Sequence, residues 1–256
     1  MASAATTTIV QKAVADDLDQ ISVTLSRAFH DDPVMAFIIP DADRRRAILA
    51  DMLRPFMAAF VRHDETLVTS DGVGAALWAP PGVPPVADHE AEQFGAELEQ
   101  VLGIDAPRLF AVDQVMAEHH PHTPCFYLQL VGVDPDWQGH GIGSALMAPV
   151  LDRCDRAGVP AYLEATSPDN KRLYERHGFH TQTTLQVPGG HPCGPCGASR
   201  PPDLPHIPPG RSGGGRAKRS ARSADPSGLA LYRNKQVRSS AAASTTCSAQ
   251  RVARWW

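Results

Sequence analysis

Between residues 125 and 166 the hydrophobic pattern changes period twice, and this restricts the fold more than any other feature of the chain. Residues 125–133, CFYLQLVGV, are rich in aromatic and branched side chains and read as a long strand. A glycine-dense turn follows, with Gly139, Gly141 and Gly143 in five positions. A helix then fits residues 141–157, and residues 160–166, PAYLEAT, read as a second strand. Strand, turn, helix and strand in that order form a right-handed βαβ unit, which requires two parallel strands in one sheet. Pro149 stands against the helix, because it removes a backbone hydrogen bond and costs about 3 kcal/mol unless the helix bends there.

The flanking sequence adds further strands and helices, so the fold class is α/β of a mixed α+β kind. Residues 7–12 predict a short strand. Leu18, Ile21, Leu25 and Ala28 recur at helical spacing and predict an amphipathic helix over 15–30. Asp31-Asp32-Pro33 ends it, since the residue before proline is pushed out of helical geometry. A second helix fits 44–62, with Ile48, Met52, Phe56 and Phe60 on one face. TLVTS (66–70) and GAALWAP (74–80) predict strands joined by the Asp71-Gly72 hairpin turn. Helical stretches surround 94–102 and 109–118, and residues 170–177 form a short helix closed by Gly178.

Glycines at this density let backbone N–H groups close around a ligand, most often a phosphate. A Rossmann loop needs a third glycine at the sixth position, where this chain has Ser144, and no acidic residue follows at the distance a ribose requires. The Gly-Lys-Ser/Thr of a Walker loop is absent. Hydride transfer and ATP hydrolysis are therefore poor readings. A tight structural turn with no ligand remains open from the loop alone.

Gln138-Gly139-His140-Gly141-Ile142-Gly143 resembles the Gln/Arg-x-x-Gly-x-Gly/Ala signature of the GNAT family of N-acetyltransferases. NKRLYERHGF, residues 170–179, resembles the Asn-x-x-Leu-Tyr-x-x-x-Gly-Phe ending of the same family. FHDDPV and GAALWAPPG resemble the opening half of a bacterial subgroup, so the resemblance spans roughly residues 8 to 188. It implies a mixed, mostly antiparallel sheet flanked by helices, with central parallel strands that splay apart. It implies acetyl-CoA as cosubstrate, an acyltransferase activity and direct attack by an amine on the acetyl group. On that reading Gln138, Gly139, His140, Gly141, Ile142, Gly143 and Ser144 hold the CoA pyrophosphate at a helix start, where free N–H groups and the helix dipole favour anions. His140 replaces an arginine of many relatives, which implies weaker or more pH-dependent phosphate binding. Val131, Gly132 and Val133 pair with the pantetheine arm, and a strand N–H polarises the thioester carbonyl. Asn170 contacts the cosubstrate, and the Tyr174 hydroxyl protonates the departing thiolate; a core aromatic is the other reading of Tyr174.

The attacking amine must lose a proton. Alternation puts Tyr162, Glu164 and Thr166 on one strand face, which makes Glu164 the candidate base, a solvated carboxylate or structural ion pair being the alternative. Tyr127, Gln129 and Trp78 are candidates for the acceptor pocket, although Trp78 also suits a core. Histidines 119, 120 and 122 lack a fourth ligand at a known spacing, so a polar loop is expected and no metal.

Charge divides the chain. Residues 1–188 hold 13 Lys and Arg against 26 Asp and Glu, whereas residues 189–256 hold 11 against two. The acidic part favours a cationic acceptor, a small molecule or peptide amine such as a polyamine, aminoglycoside or lysine. The boundary is placed at 188: an acetyltransferase domain over 1–188, then a basic Pro/Gly/Ser/Arg-rich tail over 189–256 expected to be disordered. Cys193-Gly-Pro-Cys196 has neither the strand and helix of a redox motif nor enough further ligands for zinc. A shift of reading frame from Gly190 permits APLWPMWRE, which resembles the Pro-Met-Trp-Arg ending of that subgroup; on that reading the last sheet strand is missing. The alternative function follows, a catalytically impaired CoA-binding protein or a nucleic-acid tether using the basic tail. No secretory signal and no apolar run of about 18 residues is visible, and Cys125 and Cys154 suit buried thiols, so a cytoplasmic protein without membrane contact is expected. Nothing in the sequence specifies an oligomeric state.

Overall fold

The computed structural model describes residues 8–186 and 196–202. A short strand β1 (Val10–Lys12) leads into helices α1 (Leu18–Ala28), α2 (Pro33–Ile38) and α3 (Ala42–Val61). The hairpin β2 (Thr66–Thr69) and β3 (Gly74–Ala79) follows, then α4 (Ala91–Leu102) and α5 (Ala106–His119). The βαβ unit is β4 (Phe126–Val133), α6 (Ile142–Ala157) and β5 (Ala161–Ala165). Helix α7 (Pro168–Arg176) and strands β6 (His180–Thr184) and β7 (Cys196–Arg200) complete the described chain. The sheet runs β1-β2-β3-β4-β5-β7-β6, and every neighbouring pair is antiparallel except β4 and β5.

Period-two alternation sorts the central strands onto two cores. Leu77, Tyr127 and Tyr162 face the helices α1 to α5, packing with Leu25, Leu49, Met57 and Leu98. Trp78, Leu128 and Leu163 face the other way, onto Leu146, Val150 and Cys154 of α6. Gly132 is where α1 lies closest to the sheet: a Cβ there would stand 2.7 Å from Leu25 Cδ2 and 3.0 Å from Phe29 Cε2. Helix α6 continues through Pro149, which sits on its exposed face, where water can bond the carbonyl that loses its partner. Both expected thiols are free and buried, and burial pushes Cys125 and Cys154 up to about 11.

Strands β4 and β5 pair only at Phe126, Tyr127 and Leu128, opposite Ala161, Tyr162 and Leu163. Beyond Leu128, β4 stays paired with β3 as far as Val133 while β5 diverges. The splay that the resemblance implies is therefore present, and it leaves one edge of residues 129–133 without a strand partner among the described residues.

Helix α1 ends at Ala28, and Pro33 begins α2: its fixed φ suits the first helical position, and the Asp32 side chain accepts from Val34 N (2.9 Å) and Met35 N (3.2 Å). Strand β7 lies beyond residue 188 and pairs between β5 and β6. Its Arg200, counted with the basic tail, is buried in a bidentate pair with Asp155 (2.6 and 2.8 Å) and also donates to His177 O (2.8 Å). The first cysteine of the CxxC, Cys193, and most of the tail lie outside the described residues.

The cap on α2 generates the first prediction. Asp32→Ala should lower unfolding stability by about 1–2 kcal/mol in a urea titration. An unchanged midpoint would show that the cap carries no weight.

Candidate active site

The loop between β4 and α6 is built by short-range bonds. The Asp134 side chain accepts from Asp136 N (3.0 Å) and pairs with Arg27 of α1 (2.9 Å). Gln138 Nε2 donates to Val133 O (3.1 Å). Gly139 and Gly141 adopt φ of +79° and +80°, the left-handed region that favours glycine, and a Cβ at either would meet nothing within 4 Å. Among the described residues no side chain caps the start of α6 that follows. Gly143 has ordinary φ, and a Cβ there would make only normal contacts with Leu173 (3.7 Å) and Val133 (3.9 Å). His140 differs from the expectation: its exposed ring folds back on the carbonyls of Trp137 (3.2 Å) and Gln138 (3.0 Å), and it does not line the cleft that its neighbours line. That cleft, about 770 Å³, runs from Val131, Gly132 and Val133 past the loop to Asn170 and Tyr174, and Arg27 and Arg176 also line it.

A second, mostly apolar cavity lies on the α2, α3 and α5 side of the sheet. Two carboxylates line it, Glu164 of β5 and Asp113 of α5. Tyr127 donates its hydroxyl to Glu164 Oε2 (2.8 Å), Tyr162 also bonds this carboxyl group, and Gln129 Oε1 is buried without a hydrogen-bond partner. Burial pushes Glu164 up to about 7 against the opposing pull of the Tyr127 bond. Burial, reinforced by the negative charge of Glu164, pushes Asp113 up to about 7 as well. The Tyr127 ring stacks on Tyr162 at 6.1 Å, and His120 packs edge-on against both at 4.8 and 5.2 Å. Burial lowers the His120 pKa, which favours a neutral ring.

A polar chain joins the two spaces. Thr166 donates to Asp32 Oδ2, and Asn170 Nδ2 donates to Thr166 Oγ1 (3.2 Å). Asn170 and Tyr174, one turn apart on α7, line both the cleft and the apolar cavity. Burial, then the nearby Asp32 carboxylate, raises the Tyr174 pKa above that of an ordinary tyrosine. The Ser144 hydroxyl lies 2.8 Å from His177 Nε2 and ties the start of α6 to the end of α7.

The structure therefore brings Glu164, Tyr127, Gln129, Asn170 and Tyr174 to one place, with Val131 to Val133 and the glycine loop beside them. Trp78 is not among them. It is fully buried on the opposite face of the sheet with Leu128, because the β3–β4 register places those two residues across from each other. Sequence reasoning missed Asp113, Asp32, Thr166, Arg27 and Arg176. Of these, only Thr166 carried a signal, its alternation with Glu164. Among the described residues no cluster of three His, Cys, Asp or Glu could hold a metal, and no helix is long and apolar enough to cross a membrane.

Comparison with known proteins agrees with this arrangement. The model of the acetyltransferase (GNAT) family matches residues 108–179, which span β4, the glycine loop, β5 and α7. An uncharacterised N-acetyltransferase of Schizosaccharomyces pombe is 26% identical over 190 residues, 69% of this chain and 76% of the relative. A mycothiol acetyltransferase of Brachybacterium faecium is 46% identical over 55 residues, 20% of this chain and 17% of the relative. The solved structure described as histone acetyltransferase HPA2 and related acetyltransferase from Corynebacterium glutamicum superposes with a TM-score of 0.57 at 26% identity, covering 79% of this chain and 100% of that one. With the splayed β4–β5 pair and the uncapped glycine loop at its centre, the chain resembles the GNAT acetyltransferases, most closely over residues 108–179.

Proposed function

We propose that the protein moves an acetyl group from acetyl-CoA to a primary amine by direct attack within a ternary complex. One observation carries this reading: the cleft at the glycine loop and the carboxylate-lined cavity meet at shared residues, Val131, Asn170 and Tyr174. A donor in one and an acceptor in the other would meet beside a tyrosine hydroxyl and a carboxylate. Such placement supplies much of the acceleration in a two-substrate transfer.

The donor site passes a test of fit. Left-handed glycines with open space above them, an uncapped helix start and Arg27 and Arg176 in the lining suit a diphosphate. The unpaired edge of residues 129–133 suits an amide-bearing arm that completes the ladder. Bound there, acetyl-CoA supplies the acetyl group as a thioester. Glu164 takes the proton that the amine nitrogen loses as its bond to the acetyl carbon forms. Tyr174, held protonated by burial and by Asp32, gives its proton to sulfur as the carbon–sulfur bond breaks. Asn170 and Thr166 fix the α7 end of the site through Asp32.

Two variants test the assignment. Tyr174→Phe should lower kcat for CoA release with an amine by about 10²–10⁴-fold while acetyl-CoA binding changes little. Equal kcat in the variant would remove Tyr174 from the chemistry. Because Glu164 is protonated until pH approaches about 7, the wild-type rate should rise as pH rises through that value. Glu164→Gln should be slower and lack this limb. The same raised pKa means that Glu164 contributes stability at low pH that is lost as pH rises through about 7, so the variant should melt no lower than wild type at pH 8. A retained acid limb in Glu164→Gln would assign the base elsewhere.

A further inference from the structure

We infer that the acceptor is a primary monoamine on an apolar body, aromatic or branched, and that Asp113 is the residue that holds its ammonium group beside Glu164. The inference narrows the acetyl-transfer reading and rests on it for the meaning of "acceptor".

The cavity wall argues for the apolar body. Val34, Met35 and Ile38 of α2, Phe56 of α3, and Val112 and Met116 of α5 face the space. These side chains come from three helices on one side of the sheet and offer no hydrogen bonds to a polar chain. The charged lining argues for a single cation. Among the described residues that line it, Asp113 and Glu164 are the only carboxylic acids, and no Lys or Arg joins them. Among the described residues neither carboxyl group has an Arg or Lys partner, and the groups that bond Glu164 are the Tyr127 and Tyr162 hydroxyls. Ionising both buried carboxyl groups in this lining is costly, and one ammonium group between them would offset that cost. A polyamine would satisfy the carboxylates with one nitrogen and bury the others against methionine and phenylalanine, which is unfavourable. The acidic balance of the whole chain suggested polycations, but it belongs to the outer surface as much as to the cavity.

Asp113 and Glu164 have different tasks on this account. Glu164 bonds Tyr127 and shares the central sheet with the donor cleft. Asp113 lies on α5, outside that sheet, and is absent from the lining of the donor cleft. It therefore bears on the acceptor without touching the donor.

The test uses the full chain with saturating CoA or acetyl-CoA, and phenethylamine and spermidine as probes. Calorimetry should show phenethylamine binding at least about tenfold tighter than spermidine, and the kcat/KM values should rank the same way. Asp113→Asn should raise the phenethylamine KM by about tenfold or more, with kcat and acetyl-CoA affinity within about threefold. Preference for spermidine in the wild type, which needs no variant to fold, would overturn the inference, as would an unchanged phenethylamine KM in a folded Asp113→Asn. Asp113-dependent phenethylamine binding without acetyl transfer would keep the ligand class and defeat the transfer reading. Transfer to spermidine alone would keep the transfer reading and defeat this inference.

Discussion

Three residue pairs hold β4 to β5, and the candidate chemistry lies just beyond the third. Had the two parallel strands stayed paired to their ends, the edge of residues 129–133 would be sealed by β5 and no cleft would reach the sheet. Instead β4 follows β3 through a register shift at Leu77 and Trp78, while β5 turns to pair with β7 along its whole length. The sheet is therefore closed on both flanks and open at its centre. A buried backbone edge seeks partners, so this opening is a binding surface by the same rule that makes sheets cohere. Helix α1, drawn close to the sheet at Gly132, and helix α6, started by left-handed Gly141, form the two sides of that opening.

Electrostatics divide the site into two halves of opposite preference. The donor half is made of backbone N–H groups with Arg27 and Arg176, a setting for anions. The acceptor half holds Asp113 and Glu164 among apolar side chains, a setting that favours a cation or protonated carboxyls. Tyr174 stands where they meet, and its raised pKa keeps a proton at the boundary. Such a pairing of a protonated acid with carboxylates near neutral pKa is how one site can both accept and donate protons at neutral pH.

The parts of the site that rest on local backbone geometry were legible in the sequence. Gly139 and Gly141 are glycine because their φ is positive, and their density in the sequence marked the turn, while the phosphate reading came from the resemblance. The resemblance singled out Asn170 and Tyr174 and their spacing put them on one helix face, while alternation alone put Glu164 on a strand face with Thr166. What depended on distant packing was not legible. Asp113 shares a cavity with Glu164 only through the packing of α5 with the rest of the fold, and nothing in the pattern around Asp113 marks it. Trp78 was open to two readings until the β3–β4 register put it opposite Leu128 and away from Tyr127. Strand β7, CGASR, carries no alternation of large apolar residues, and its place between β5 and β6 is a long-range fact.

The central claim is that the glycine loop at the open edge of β4 holds the diphosphate of acetyl-CoA. Calorimetric titration of the full chain with acetyl-CoA, with NADH as control and Gly141→Ala in parallel, tests it most directly. The account predicts saturable binding of acetyl-CoA at one site, none of NADH, and affinity weaker by about tenfold in Gly141→Ala, where a side chain strains the left-handed turn. Absence of acetyl-CoA binding by folded wild-type protein, or equal affinity in the variant, would contradict it.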